Sequence, residues 1–427
     1  MKSPRSGYQV TSAVAGLLLA STATQALGGG IWLYEQGVPD LGMANAGRAA
    51  LAENAATAGG NPAGLTRLKQ SEVLAGIQPM FLDVKFDKDA STFGGGDGKN
   101  AGAFIPGGSF YYAHNTSPRL KLGFAAASTF GAGLDHSGQW AGRYYVTEVV
   151  LLTAKAGPSA GYRINDNWSV GAHAFAMYAD LTQKAAINNA VLDPGVGDGK
   201  LRFADYDLGY GGQLGVLFSP YDGTRFGLTY SSKVDLDFKD EVTLKNLGPT
   251  LSALTSLIDI KDVKLKMSIP ETLMFSAYHD LNEKVELVAN LGWQNWSDFG
   301  QYLAQIQSTS TVKLEKDRNF RDTWHTAIGV RYAFRPNWKV LTGVAYDSSP
   351  VKTRDRTPDM PLDRQWRIGI GLQHEYRKDL SLGVAYEYVN MGDADIDRAG
   401  GPLTGSLKGS YSPYAIHIAN VTMNWRF

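Results

Sequence analysis

RFGLTYSSKVDLDF, residues 225–238, decides how this chain is read. Phe226, Leu228, Tyr230, Val234, Leu236 and Phe238 share one parity, with Ser232 the only polar member. Arg225, Gly227, Thr229, Ser231, Lys233, Asp235 and Asp237 hold the other. Successive side chains of a β-strand point to opposite faces, so one face meets an apolar medium and the other a polar one. The run exceeds the ~5–6 residues usual for a strand in a soluble domain. It suits a membrane-crossing β-strand, which needs ~9–11 residues for the hydrocarbon with extensions beyond it.

The pattern recurs. Lys284 to Trp296 sets Val285, Leu287, Ala289, Leu291 and Trp293 on one face; Trp324 to Phe334 sets Trp324, Ile328, Val330, Tyr332 and Phe334 against His325, Gly329 and Arg331. Leu380 to Tyr388 behaves alike. Fourteen such runs start near Ser71, Gly108, Arg119, Tyr144, Asn167, Asp205, Thr224, Asp262, Lys284, Phe320, Asn337, Arg364, Leu380 and Ser412. Short turns rich in Asn, Asp, Pro and Gly, such as His114–Arg119, Ser219–Thr224 and Arg335–Trp338, alternate with long connections at 93–98, 131–143, 193–200, 245–257, 308–317, 351–361 and 392–409. That alternation marks an outer-membrane barrel, with short turns on the periplasmic side and longer loops outside. An even strand number puts both chain ends on the periplasmic side. The last strand, NVTMNWRF, places Val421, Met423, Trp425 and Phe427 on one face. A soluble sandwich of this size would need shorter strands, and no fixed repeat supports a solenoid.

Composition agrees. Tyrosine (21), phenylalanine (17) and glycine (49) are abundant in the 427 residues, as strands and tight turns require. Lysine plus arginine equals aspartate plus glutamate at 41 each, so no net field draws nucleic acid. Cysteine is absent, which removes disulfides, thiol nucleophiles and thiolate metal sites. Lys2 and Arg5, the apolar run Ala13–Ala20 and the small residues of STATQA read as a secretory signal cut after Ala26. The apolar run falls well short of the ~18 residues that a spanning helix needs.

Between Gly28 and Leu68 the alternation is missing. GMANAGRAALAENAATAGG is rich in alanine and glycine, and Asn61-Pro62-Ala63-Gly64 ends it in a turn. A fourteen-strand barrel is too wide for its side chains to fill, so this segment is expected to fold into the lumen as short helical turns and plug it.

These residues resemble the N-terminal hatch of the FadL/TodX-type outer-membrane transporters of long-chain fatty acids and aromatic hydrocarbons. The matching parts are Glu35-Gln36, Ala46 to Ala50, Ala52-Glu53 and Asn61-Pro62-Ala63-Gly64. Downstream, Trp140-Ala141-Gly142, Ile269-Pro270-Glu271, Asn295-Trp296-Ser297, the run from Tyr346 to Val351, RTPDMP and Asp363-Arg364 continue the match across essentially the mature chain. The resemblance implies capture of an apolar ligand outside, passage to an internal apolar pocket, and exit sideways at an inward kink in the third strand. It assigns the hatch gate to Asn61, Pro62 and Ala63, and the kink to Gly131 in STFGAGL. It points to Ile31 as an apolar ligand contact and to Lys316 as the partner of a carboxylate head group. A solvated loop lysine is the plain alternative for Lys316, and an ordinary strand end for Gly131. Lys184 is near, but displaced from, a second basic pocket position of some relatives. An alternating last strand ending in Phe427 resembles the one that such barrels present to their assembly machinery.

Gly157-Pro158-Ser159-Ala160-Gly161 fits a hydrolase elbow in letters, but lies in an alternating run with no helix after it. His374-Glu375 lacks the second histidine of a zinc protease, and the seven histidines show no metal spacing. Gly209 to Gly215 lies in a strand and is no phosphate loop.

The chain therefore reads as all-β: a 14-stranded antiparallel transmembrane β-barrel (71–427) plugged by an N-terminal hatch of short helices (27–70) after a signal peptide (1–26). The function expected is uptake of hydrophobic small molecules by a monomer in outer-membrane lipid, with no cofactor, no metal, no nucleic-acid partner and no energy-coupling partner. A general diffusion porin and an outer-membrane lipid hydrolase using Ser159 are the alternatives.

Overall fold

The computed structural model describes residues 31–32, 34–128, 130–136, 138–256, 262–299, 301–307 and 312–427, so the expected leader and its cut after Ala26 lie outside the described residues. The wall is a closed barrel of fourteen antiparallel strands. In order they are β1 (Glu72–Ser91), β2 (Phe104–His114), β3 (Leu120–Ala127 and Phe130–Asp135), β4 (Glu148–Arg163) and β5 (Trp168–Ile187). Next come β6 (Gly199–Tyr221), β7 (Thr224–Ser231 and Val234–Asp240), β8 (Asp262–Ile269 and Thr272–Asn282) and β9 (Val285–Gln294 and Gln301–Gln307). The last are β10 (Val312–Asp317 and Thr323–Arg335), β11 (Trp338–Asp347), β12 (Gln365–Arg377), β13 (Leu380–Asn390) and β14 (Leu407–Arg426). Pairing of β1 with β14, Glu72 opposite Arg426, closes the ring and leaves no sheet edge there.

The alternation does what the sequence predicts through most of the wall. Ile77, Leu214, Ile328, Ile370 and Val421 are exposed on the outer surface, while Asn420, Thr422 and Asn424 between the outward residues of β14 are buried. The expected starts of β2, β4, β6 and β14, near Gly108, Tyr144, Asp205 and Ser412, move to Phe104, Glu148, Gly199 and Leu407.

The opening run departs from the expectation of one continuous strand. Phe226, Leu228 and Tyr230 are exposed, as outward residues should be, but Val234, Leu236 and Phe238 of the same parity are fully buried. Ser232, the one polar residue on that parity, marks the break: its N–H donates to Gly212 O at 2.8 Å, and Gly212 N–H donates to its Oγ at 3.0 Å. Beyond it, the far segments of β7, β8, β9 and β10 form a separate four-stranded sheet, with Val234 opposite Ile269 and Leu265 opposite Ala304. Its buried face carries Val234, Leu236, Phe238, Val263, Leu265, Met267 and Ile269. On the other face Lys264 and Lys266 pair with Asp237 at 3.0 and 3.3 Å, and Ser268 donates to Asp235. A strand face of charged and hydroxyl side chains suits water rather than lipid outside, and with water outside the apolar face is buried inward.

The same sheet corrects the reading of 308–317 as a loop. Val312–Asp317 is a strand, and Lys316 stands opposite Tyr302 in its ladder. The side chain of Lys316 lies outside the described residues.

Candidate functional site: the hatch and the wall break

Residues 34–68 lie across the lumen. Two 3-10 turns (Pro39–Met43 and Pro62–Arg67) and two single-turn helices, α1 (Arg48–Leu51) and α2 (Thr57–Gly60), make up the segment. Pro39–Met43 packs on β10 to β14, α1 on β6 to β8, α2 on β2 to β4, and Pro62–Arg67 on β3 to β6. Small residues explain how so short a chain fills the space. Wall glycines face it, and side chains there would strike its backbone: a Cβ on Gly227 would lie 1.9 Å from Ala49 O, and one on Gly343 2.2 Å from Met43 O. The hatch therefore rests main chain to main chain on the barrel, as close-packed as a protein core.

Asn61 shows why the turn carries that residue. Its Oδ1 accepts from Ala63 N at 3.1 Å, capping Pro62–Arg67, and Pro62 occupies the first turn where no N–H is needed. Its Nδ2 donates to Ala49 O at 2.7 Å within the hatch and to Val216 O of β6 at 3.0 Å. One amide thus caps a turn, joins two parts of the hatch and fastens both to the wall.

Charged groups add further fastenings. Arg225 of β7 donates to Ala50 O at 2.9 Å and Leu51 O at 3.0 Å, and Arg331 of β10 donates to both oxygens of Glu53 at 2.5 and 2.6 Å. Burial alone would raise the Glu53 carboxyl, but Arg331 and then Arg225 outweigh it and hold it down at about 2. At the start of the hatch, Glu35 accepts from Arg367 Nε at 3.0 Å. Arg367 also reaches Asp347 and donates to Gln365 Oε1 at 2.7 Å, while Asn45 Nδ2 donates to Glu387 Oε2 at 3.1 Å. Gln36 O accepts from the Tyr111 hydroxyl at 2.8 Å. The sequence already held a signal for Arg225 and Arg331: each sits on the inward parity of its strand, where a cation facing a closed lumen requires an anion.

The wall is broken at β3. Its ladder with β2 runs from His114–Leu122 to Ser109–Ala127 and stops, and among the described residues a backbone hydrogen bond on that side returns where Asp135 N donates to Ala101 O at 2.8 Å. Between these points the edge of β3 pairs instead with the two-residue strand Ile31–Trp32, Ile31 opposite Gly131 and Trp32 opposite Phe130. Two residues singled out separately in the sequence, Ile31 and Gly131, therefore meet at one place. Of Ile31 only the backbone is described.

Above the hatch, two apolar clusters line the interior. One joins Phe175, Met177 and Phe203 to the inward face of the four-stranded sheet; the other joins Phe86, Trp140, Val146, Tyr411 and Ile418. Trp140 of the Trp140-Ala141-Gly142 motif is fully buried there, stacked on His136 at 3.8 Å. Below the hatch a cavity of about 280 Å³ opens among Glu53, Arg331, Lys339, Glu375 and Arg426. Ser159 lies inside β4 with a buried hydroxyl beside Gly123, without the strand-turn-helix setting of a hydrolase elbow. Lys184 pairs with Glu148 at 2.5 Å, which occupies its charge.

A family model for outer membrane protein transport proteins (OMPP1/FadL/TodX) matches residues 19–427. The chain belongs to this family. It is an outer-membrane transport protein and not an enzyme. Among curated relatives, the long-chain fatty acid transport protein of Escherichia coli K12 is 26% identical over 418 residues, covering 89% of this chain and 92% of its own. Outer membrane protein P1 of Haemophilus influenzae is 23% identical over 420 residues, covering 87% and 89%. Among solved structures, a Pseudomonas aeruginosa FadL homologue superposes with a TM-score of 0.85 at 20% identity, covering 93% of this chain and 100% of that one. The Pseudomonas putida toluene transporter TodX gives 0.69 at 17% identity, covering 92% and 98%. Both have the barrel fold described above.

Proposed function

We propose that this transport protein takes up hydrophobic small molecules, long-chain fatty acids or hydrocarbons, and releases them sideways. The observation that supports this reading is the interrupted ladder between β2 and β3 beside an apolar interior, with the hatch fastened across the axial route. The relatives named for fatty-acid and toluene transport support the substrate class. In this reading the ligand is captured outside and held in the apolar interior near Ile31. Rearrangement of the hatch around Asn61, Pro62 and Ala63 frees the Ile31–Trp32 edge from Gly131, and the ligand leaves through the gap without crossing water. Lys316 serves a carboxylate head group on the outer sheet; Lys316→Ala should weaken carboxylates more than neutral hydrocarbons, and equal loss would remove that role. The working molecule is a monomer of hatch (27–70) and barrel (71–427) after removal of residues 1–26, assembled through the strand ending in Phe427 and surrounded by outer-membrane lipid.

Uptake of radiolabelled oleate and toluene by cells carrying Gly131→Val tests the lateral route. A β-branched side chain at the break should reduce uptake while the barrel assembles in normal amount. Wild-type uptake by that variant would refute lateral exit. A large steady conductance from the intact protein would favour a general porin instead, and lipid hydrolysis abolished by Ser159→Ala would favour the hydrolase.

A further inference from the structure

Among the described residues Lys155 has no counter-charge. It lies in β4 on the inward parity, opposite Ala127 on one side and Met177 on the other. Among the described residues it makes no ion pair and no hydrogen bond; its Nζ rests 4.7 Å from the centroid of the Phe175 ring. A second cation, Arg48, lines the same cavity. A lumen-facing ammonium beside an apolar cluster is costly unless an anion answers it.

Three features meet at this cation. First, Lys155 lines a cavity of about 70 Å³ on the hatch, with Arg48, Gln213, Thr229, Ser231 and Asn290 among its walls. In that cavity Arg48 is already bonded to Asp40 at 2.6 and 2.9 Å, which leaves Lys155 as the cation without an ion pair among the described residues of the lining. Second, Phe175 belongs to one of the apolar clusters that line the interior above the hatch, so an alkyl or aryl body can lie against it while its head points down. Third, Ala127, opposite Lys155, is the last residue of β3 paired with β2 before the break. The ammonium therefore stands at the floor of the apolar interior, on the roof of the hatch, and on the row where the wall opens.

We infer that Lys155 and the cavity around it form a carboxylate site, which holds the head group of an apolar-tailed acid at the inner mouth of the wall break. The inference rests on the transport reading above and adds to it the head-group chemistry and the residue that meets it. A carboxylate gains a charge-assisted hydrogen bond from Nζ; an alcohol or hydrocarbon of the same length gains only the apolar contact.

The test is equilibrium binding of radiolabelled dodecanoate and 1-dodecanol to the full-length protein in nanodiscs at pH 7, where the free acid is ionised. Lys155→Met, which keeps the side-chain length, should lower dodecanoate affinity by about tenfold to a hundredfold, the worth of a hydrogen bond to a charged group. Binding of 1-dodecanol should stay within about twofold, because its apolar contact is untouched. Lys155→Arg should retain dodecanoate binding. Equal loss of both ligands, or no change in either, overturns the carboxylate site while leaving hydrophobic transport standing. A wild-type protein that binds neither ligand overturns the transport reading with it.

Discussion

Replacing Asn61 by alanine removes a fastening that one side chain makes at three points. The amide makes three hydrogen bonds, to Ala63 N, Ala49 O and Val216 O. Loss of a helix-start cap costs about 1 kcal/mol. Each carbonyl left buried without a partner costs about 1–3 kcal/mol. Because the three bonds share one side chain the losses do not add in full, and about 3–5 kcal/mol is the expected sum. That raises the released-hatch population by a factor of about 10² or more. The barrel ladders do not depend on Asn61, so β content by circular dichroism should match wild type. Planar-bilayer recordings should show openings that are rare in wild type, and protease added from the periplasmic side should cut between residues 34 and 68. Gly215→Ala approaches the same contact from the wall, since its Cβ would fall 2.0 Å from Asn61 Oδ1 and force the amide away. An Asn61→Ala protein as silent and protease-resistant as wild type would refute the argument that this amide seats the hatch. So would a Gly215→Ala protein that leaves the hatch seated.

Two further fastenings give independent predictions. Glu53 is held at about 2, below its ordinary 4.5, so its contribution is full above pH 4.5 and is lost as pH falls toward 2. Conductance through the wild-type protein should rise over that acid window, and Glu53→Gln should show raised conductance already at neutral pH with a flattened acid response. Arg367→Met leaves Glu35, Asp347 and Glu387 without their shared cation. Removing one partner of such a buried cluster costs about 3–5 kcal/mol, which a lower midpoint of thermal unfolding and faster cleavage near Glu35 should reveal.

Strand type, membrane setting and the direction of most wall residues were legible in the sequence, because side chains alternate with period two and the surrounding medium selects which face is apolar. The unalternating, small-residue segment before β1 was legible as a plug for the same reason: it could not be wall. The sequence could not show that the apolar parity turns inward after Ser232. Periodicity records that a face is apolar, and lipid outside or a packed interior inside satisfies it equally. Only the tertiary structure decided that the backbone of Ile31 lies against Gly131, that wall glycines such as Gly227 and Gly343 receive the hatch backbone, and that Lys155 stands without an ion pair among the described residues where the β2–β3 ladder stops. Each of these depends on a contact between residues far apart in the chain, and local pattern carries no information about which distant strand brings its open edge, missing Cβ or missing counter-charge to a given place.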